Sequence, residues 1–184
     1  MKIAVIYGGT RKSGNTEWLT KQVINGVKVK EFHLSNYQID AIKDHRHSEG
    51  GFPLVDDDYQ QLIQEIMTYE TLIFATPIYW YSMSGMMKNF IDRWSQTLRD
   101  PEMKHFKKCM ENKQAYVIAV GGDQPTIKGL PMIQQFLYIF DFMGMKFLGY
   151  ILGEGNKPRD IEKDTKAISA AKEMNKVISQ GNEA

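Results

Sequence analysis

The chain has 184 residues, 42% hydrophobic and 24% charged, the proportions of an ordinary soluble globular protein long enough to bury a substantial core. Its 23 basic and 22 acidic residues leave a formal charge of +1, so no overall field draws it to nucleic acid or an anionic membrane. A lone cysteine, Cys109, excludes both an intrachain disulfide framework and a thiolate cluster for zinc or iron–sulfur.

The first apolar run, KIAVIY at 2–7, is short and rich in branched residues and is closed by Gly8 and Gly9, the pattern of a strand buried on both faces. A helix is predicted over 16–27, with Trp18, Leu19, Val23 and Ile24 on its apolar side. VKEFHL at 29–34 alternates as a second strand. Residues 35–55 are polar and read as a solvated loop, after which Asp56–Asp58 supply N-terminal capping for a helix carrying Tyr59, Leu62, Ile63, Ile66 and Met67 on one stripe. TLIFA at 71–75 is the third strand, ended by Thr76 and Pro77. Met86, Met87, Phe90, Ile91, Trp94 and Leu98 mark a helix over 84–98. AYVIAV at 115–120 is the fourth strand, stopped by Gly121 and Gly122. A helix over 126–142 follows, with Gly129 and Pro131 near its start, then a fifth strand, KFLGYIL at 146–152. Ala167, Ala170, Ala171, Met174, Val177 and Ile178 complete the pattern with a last helix over about 160–180.

Five continuous apolar strands alternating with five helices predict an α/β fold with a parallel sheet covered on both faces. Right-handed crossovers with this count give a flavodoxin-like doubly wound five-stranded sheet of order 2-1-3-4-5, in one domain over 1–184. Ligands of such sheets bind beyond the carboxyl ends of the strands where the winding reverses, here between the first and third. Residues 8–15, 76–83 and 121–125 border that crevice.

The first of these loops, YGGTRKSGNT at 7–16, has the glycine spacing of an ATP-binding loop, but Asn15 stands where its lysine would be. A triphosphate site also needs an acid for magnesium, and the third strand ends in Thr76-Pro77, leaving only Asp123, set off by two glycines. A single phosphate needs less. Free amides and the positive end of the dipole at a helix start suffice, with donors from Thr10, Ser13, Asn15 and Thr16 and charge from Arg11 or Lys12. Asn15 or Thr16 capping the helix uses the same donors and is compatible with that role.

The second loop presents Ile78, Tyr79, Trp80 and Tyr81 directly after Pro77. Consecutive aromatics at a strand end suit a flat heteroaromatic ligand, a cover for helices or a subunit interface. His45 and His47 lie in a polar loop, and no metal site is expected there.

GGTRKSGNT resembles the phosphate loop of the NAD(P)H-dependent FMN reductases, and TPIYWYSMSGMMKNFIDRW at 76–94 is similar to their flavin-ring loop. Relatives in that group include iron–sulfur flavoproteins and quinone reductases resembling the Trp-repressor-binding protein. GEGNKPRDI at 153–161 looks like the segment leading into the family's last helix. The cysteine cluster of the iron–sulfur members has no counterpart in 35–55. The resemblance implies FMN as cofactor, with the phosphate on Thr10, Arg11 or Lys12, Ser13, Asn15 and Thr16. It places the ring against Pro77, Ile78, Tyr79 and Trp80, with Ser82 and Met83 nearby and Gly121, Gly122 and Asp123 closing its other edge. It further implies an oxidoreductase passing hydride from NAD(P)H through flavin to a small acceptor such as a quinone, a nitro or azo compound or free flavin, with no catalytic side chain. The alternatives are a flavodoxin-like one-electron carrier, which a near-neutral chain disfavours, and a non-catalytic FMN-binding regulatory or interaction protein. A homodimer or homotetramer is expected, as is a cytoplasmic location, since the N-terminus lacks a signal peptide's long apolar region and no run is long enough to span a bilayer. No nucleic-acid partner and no membrane partner are expected.

Overall fold

The apolar runs become the strands of one sheet in a computed structural model that describes residues 1–183. Its strands are β1 (Ile3–Tyr7), β2 (Val29–His33), β3 (Thr71–Tyr79), β4 (Ser82–Met83), β5 (Gln114–Gly121) and β6 (Lys146–Glu154). The order β2-β1-β3-β5-β6 is parallel throughout, and β4 pairs only with the end of β3, antiparallel. With that short strand set aside, this is the expected flavodoxin-like order. The helices are α1 (Asn15–Val23), α2 (Tyr59–Ile66), α3 (Gly85–Asp92), α4 (Trp94–Thr97), α5 (Phe106–Met110), α6 (Pro125–Lys128), α7 (Leu130–Met143) and α8 (Thr165–Glu183). No helix among the described residues is long and apolar enough to cross a membrane.

Because side chains alternate along a strand, the central strands feed two cores. Ala4, Ile6, Leu72, Phe74 and Val117 join α2, α3 and α7 in one, while Ile3, Val5, Ile73 and Ile118 join α1 and α8 in the other.

The strand β3 runs past the expected stop at Thr76-Pro77 to Tyr79. Register gives the reason: β1 ends opposite Ala75, so Pro77 is flanked only by β5, opposite Val120. A proline without its N–H is tolerated where one neighbour has ended. The predicted helix over 84–98 divides at Arg93 into α3 and α4, and that over 126–142 divides at Gly129 into α6 and α7. A 3₁₀ turn at Asp160–Lys163 replaces the start of the last helix.

Asp58 stands at the N-cap of α2 without a side-chain capping bond, although Asp57 Oδ1 accepts from Tyr59 N at 3.2 Å. The main role of Asp57 is different. Its carboxylate pairs with Arg93, both side chains almost wholly buried, and the guanidinium lies 4.5 Å from the centre of the Tyr59 ring. Arg93 also donates to Asp40 O at 3.0 Å, and Asn89 Nδ2 to Ile39 O at 2.7 Å. The loop expected to be solvated is therefore tied at residue 39 to Asn89 of α3 and at residue 40 to Arg93, between α3 and α4.

Candidate functional site

Beyond the carboxyl ends of β1, β3 and β5 lies a cavity of about 210 Å³ at the predicted winding reversal. Buried hydroxyls join the loops that shape it. Ser84 Oγ donates to Gly8 O at 2.6 Å and accepts from Met87 N at 3.1 Å, capping α3, while Thr76 Oγ1 accepts from Ser84 N at 3.0 Å. Gly8 has no room for a side chain, since a Cβ would lie 2.8 Å from Ser84 Oγ.

One end of the cavity is the start of α1. Gly14 is its N-cap, so neither Asn15 nor Thr16 caps with its side chain and the first-turn amides stay available. The buried Asn15 donates from Nδ2 to Lys157 O at 2.8 Å, drawing the segment after β6 over the helix start. Its Oδ1 is buried without a partner. The buried Tyr7 hydroxyl likewise has none, and its ring stacks on His33 at 4.5 Å and 13°. Burial and the neighbouring Glu31 carboxylate push that hydroxyl's pKa up, so it stays a neutral donor. The helix start offers the positive end of its dipole, and the cavity is lined there by Thr10, Arg11, Asn15 and Thr16.

The other end is a slot between Pro77, Ile78 and Tyr79 of β3 and Gly121 and Gly122 at the end of β5. A Cβ on Gly121 would lie 3.1 Å from Ile78 Cβ, so glycine lets the two loops approach. A second cavity of about 170 Å³ adjoins the slot through Ile78, Gly121 and Gly122 and is lined also by Trp80, Tyr81, Asp123 and Lys128. Asp123 accepts from Lys128 Nζ and from the Tyr81 hydroxyl at 2.8 and 2.9 Å, and these two partners hold its carboxyl below the usual range.

The predicted residues thus divide. Thr10, Arg11, Asn15, Thr16, Pro77, Ile78, Tyr79, Gly121 and Gly122 line the first cavity, and Trp80 and Asp123 the second. Lys12 and Ser13 are exposed outside both, Ser82 Oγ donates to Gln135 Oε1 at 3.1 Å, and Met83 is buried in the core under the hairpin. Sequence reasoning missed Tyr7, His33, Gly155 and Asn156, all of which line the first cavity. Each sits at or just past the end of a strand, and Gly155 and Asn156 also fall within GEGNKPRDI, the segment that resembles the family's approach to its last helix.

A cradle at a helix start, continuous with a narrow slot walled by a strand end and two glycines, suits a ligand with a phosphate tail and a flat ring. Comparison with known proteins agrees. Residues 1–156 match the family model described as NADPH-dependent FMN reductase. YwqN of Bacillus subtilis, provisionally named an NAD(P)H-dependent FMN-containing oxidoreductase, is 59% identical over 174 residues, 95% of this chain and 96% of that protein. An iron–sulfur flavoprotein of Methanocaldococcus jannaschii is 23% identical over 98% of this chain and 96% of its own. Among solved structures, the Trp repressor binding protein from Bacillus subtilis superposes with a TM-score of 0.80 at 52% identity, covering 94% of this chain and 97% of that one. The chain belongs to the NADPH-dependent FMN reductase family.

Proposed function

We propose that the phosphate of FMN lies in the cradle at the start of α1 and its ring in the slot between β3 and β5, and that the chain uses it to oxidise NAD(P)H and reduce a small conjugated acceptor in the cytoplasm. The observation that carries this reading is the continuity of cradle and slot within one cavity at the winding reversal. The residues fit the group. First-turn amides with Thr10, Thr16 and Arg11 meet a phosphate. The partnerless Asn15 Oδ1 can accept from a sugar-chain hydroxyl, and the Tyr7 hydroxyl can donate to a ligand oxygen.

FMN, when bound, supplies the two-electron relay between nicotinamide and acceptor. The overall balance for a quinone is NAD(P)H, a proton and quinone giving NAD(P)⁺ and hydroquinone. The protein positions the ring, excludes water from the slot and offers the amides near Gly121 and Gly122 to the ring edge where negative charge collects. No side chain is required to abstract a proton from carbon, so none is assigned a catalytic role.

A homodimer or homotetramer is supported by apolar side chains exposed on α6, α7 and β6, among them Ile127, Leu137, Tyr138, Phe142, Leu148 and Tyr150. Tyr138→Asp should shift sedimentation toward the monomer, and an unchanged sedimentation coefficient would place the interface elsewhere. The functional test is anaerobic: the FMN-loaded protein should bleach on mixing with NADPH or NADH and recolour with a quinone. A bound flavin that ignores both nucleotides would refute the enzyme reading.

A further inference from the structure

The hairpin joining β3 to β4 pairs Ile78 with Met83 and Tyr79 with Ser82, leaving Trp80 and Tyr81 as a two-residue loop. Such loops place both central residues in the left-handed region, which is why Asn-Gly usually fills them. Here Trp80 has φ 48° and Tyr81 φ 63°. Two aromatic residues occupy the positions least suited to them, and packing does not account for the first, since Trp80 is 94% exposed.

Tyr81 is tied down. Its hydroxyl donates to Asp123 Oδ2 at 2.9 Å, and Lys128 Nζ lies 2.8 Å from the same carboxylate and 5.9 Å from the Tyr81 ring centre. This clasp joins the hairpin to the loop after β5, where Gln124 is also left-handed, with φ 44°. The consequence is a hairpin backbone held in position, with the Trp80 indole at the wall of the second cavity, next to the slot but outside it. A strained conformation persists where the surroundings hold it, and here the held backbone presents an apolar aromatic side chain to solvent beside the slot.

We propose that Trp80 is the stacking surface for the second substrate, a planar conjugated molecule with polar ring substituents, and that the Tyr81–Asp123–Lys128 clasp positions it. The ammonium of Lys128 at the cavity wall supplies a donor for a carbonyl or hydroxyl oxygen on that ring. The assignment removes Trp80 from the walls of the flavin slot, and it rests on the reading that the flavin ring occupies that slot.

The test uses the FMN-loaded protein and the double variant Trp80→Asn/Tyr81→Gly, with Asp123→Asn as a milder perturbation of the clasp. In the unsubstituted protein iodide should quench the exposed tryptophan, and 2-naphthol, planar and inert to the flavin, should shield it. The double variant relieves the turn, so its Tm should rise by a few degrees. Its affinity for FMN should stay within about twofold, while kcat/KM for 1,4-naphthoquinone falls by about 10- to 100-fold, chiefly through KM. Ferricyanide, which takes electrons without stacking, should turn over within about twofold of the original rate. Asp123→Asn should show the same selectivity to a smaller degree. The proposal is overturned if the tryptophan is inaccessible to iodide without a probe, as when a second copy covers it, if 2-naphthol fails to shield it, if the Tm falls, or if both acceptors are affected alike. Failure of NAD(P)H to bleach the flavin in the unsubstituted protein would sink the underlying enzyme reading instead, and the shielding of Trp80 would still report on the plate alone.

Discussion

Replacing Asn15 by Asp tests the phosphate cradle with a nearly isosteric change. The buried Asn15 donates to Lys157 O at 2.8 Å, a bond the carboxylate cannot make. Leaving that carbonyl unpaired costs about 1–2 kcal/mol, and flavin binding of any kind should weaken by roughly tenfold as the segment after β6 loosens. The new charge acts on the phosphate alone. At a separation of roughly 6 Å and an effective dielectric constant of about 20, two like unit charges repel by about 3 kcal/mol, which solvent at the cavity mouth reduces. A further loss of about 30-fold or more is therefore expected for FMN but not for riboflavin, which lacks the phosphate. Fluorescence titrations of both flavins, repeated at high salt, read the difference, and the excess loss for FMN should shrink as salt screens the repulsion. Equal losses for FMN and riboflavin would refute the placement of the phosphate beside Asn15.

Gly8→Ala should lower stability by about 1–3 kcal/mol, because its Cβ would meet Ser84 Oγ at 2.8 Å and Met87 Cβ at 2.9 Å, and thermal melts of the apoprotein measure it. Asp57→Ala strands the buried Arg93 and should cost about 3–5 kcal/mol, read by urea unfolding. Burial raises the pKa of Asp57, but Arg93 and the amides of Asp40 and Tyr59 outweigh it and hold the carboxyl below its ordinary value. Its contribution is complete above about pH 4 and is lost as pH falls through the depressed value, so Asp57→Asn should flatten the acid limb of the stability curve. Removing FMN present at about 100 times its Kd should cost about 2.7 kcal/mol, a fall of roughly 5–10 °C in Tm; an identical Tm with and without FMN would count against specific binding.

The strands were legible because each is an unbroken apolar run, and their alternation with helices left few topologies to consider. What stayed hidden depends on register and on distant pairs. The extension of β3 through Pro77 follows from where β1 ends, a length no local pattern in 71–79 reveals. The strand β4 escaped notice because its turn carries Trp80 and Tyr81 where the usual signal is Asn-Gly. Tyr7 and His33 meet only because β1 and β2 pair in parallel, and Asn15 bonds to Lys157, 142 residues away. The cavity wall at the start of α1 was legible in outline since a helix start after a glycine turn defines its own donors, but the chain alone did not separate Arg11, which lines the cavity, from Lys12, which does not.

The lysine missing from the first loop becomes intelligible in this geometry. A triphosphate loop needs a cation for the outer phosphates and an acid for magnesium. Asn15 is committed to Lys157 O, and Asp123, the acid that the sequence left available, is committed to Lys128 and Tyr81 at the far side of the slot. The cavity continues from the helix start toward Pro77, Ile78 and Gly121, surfaces that suit a ring rather than two more phosphates. Millimolar magnesium–ATP should therefore leave FMN bound, whereas inorganic phosphate should compete with FMN while leaving riboflavin affinity unchanged or improved. Displacement of FMN by magnesium–ATP, at concentrations where AMP has no effect, would mean that the loop reads a triphosphate after all.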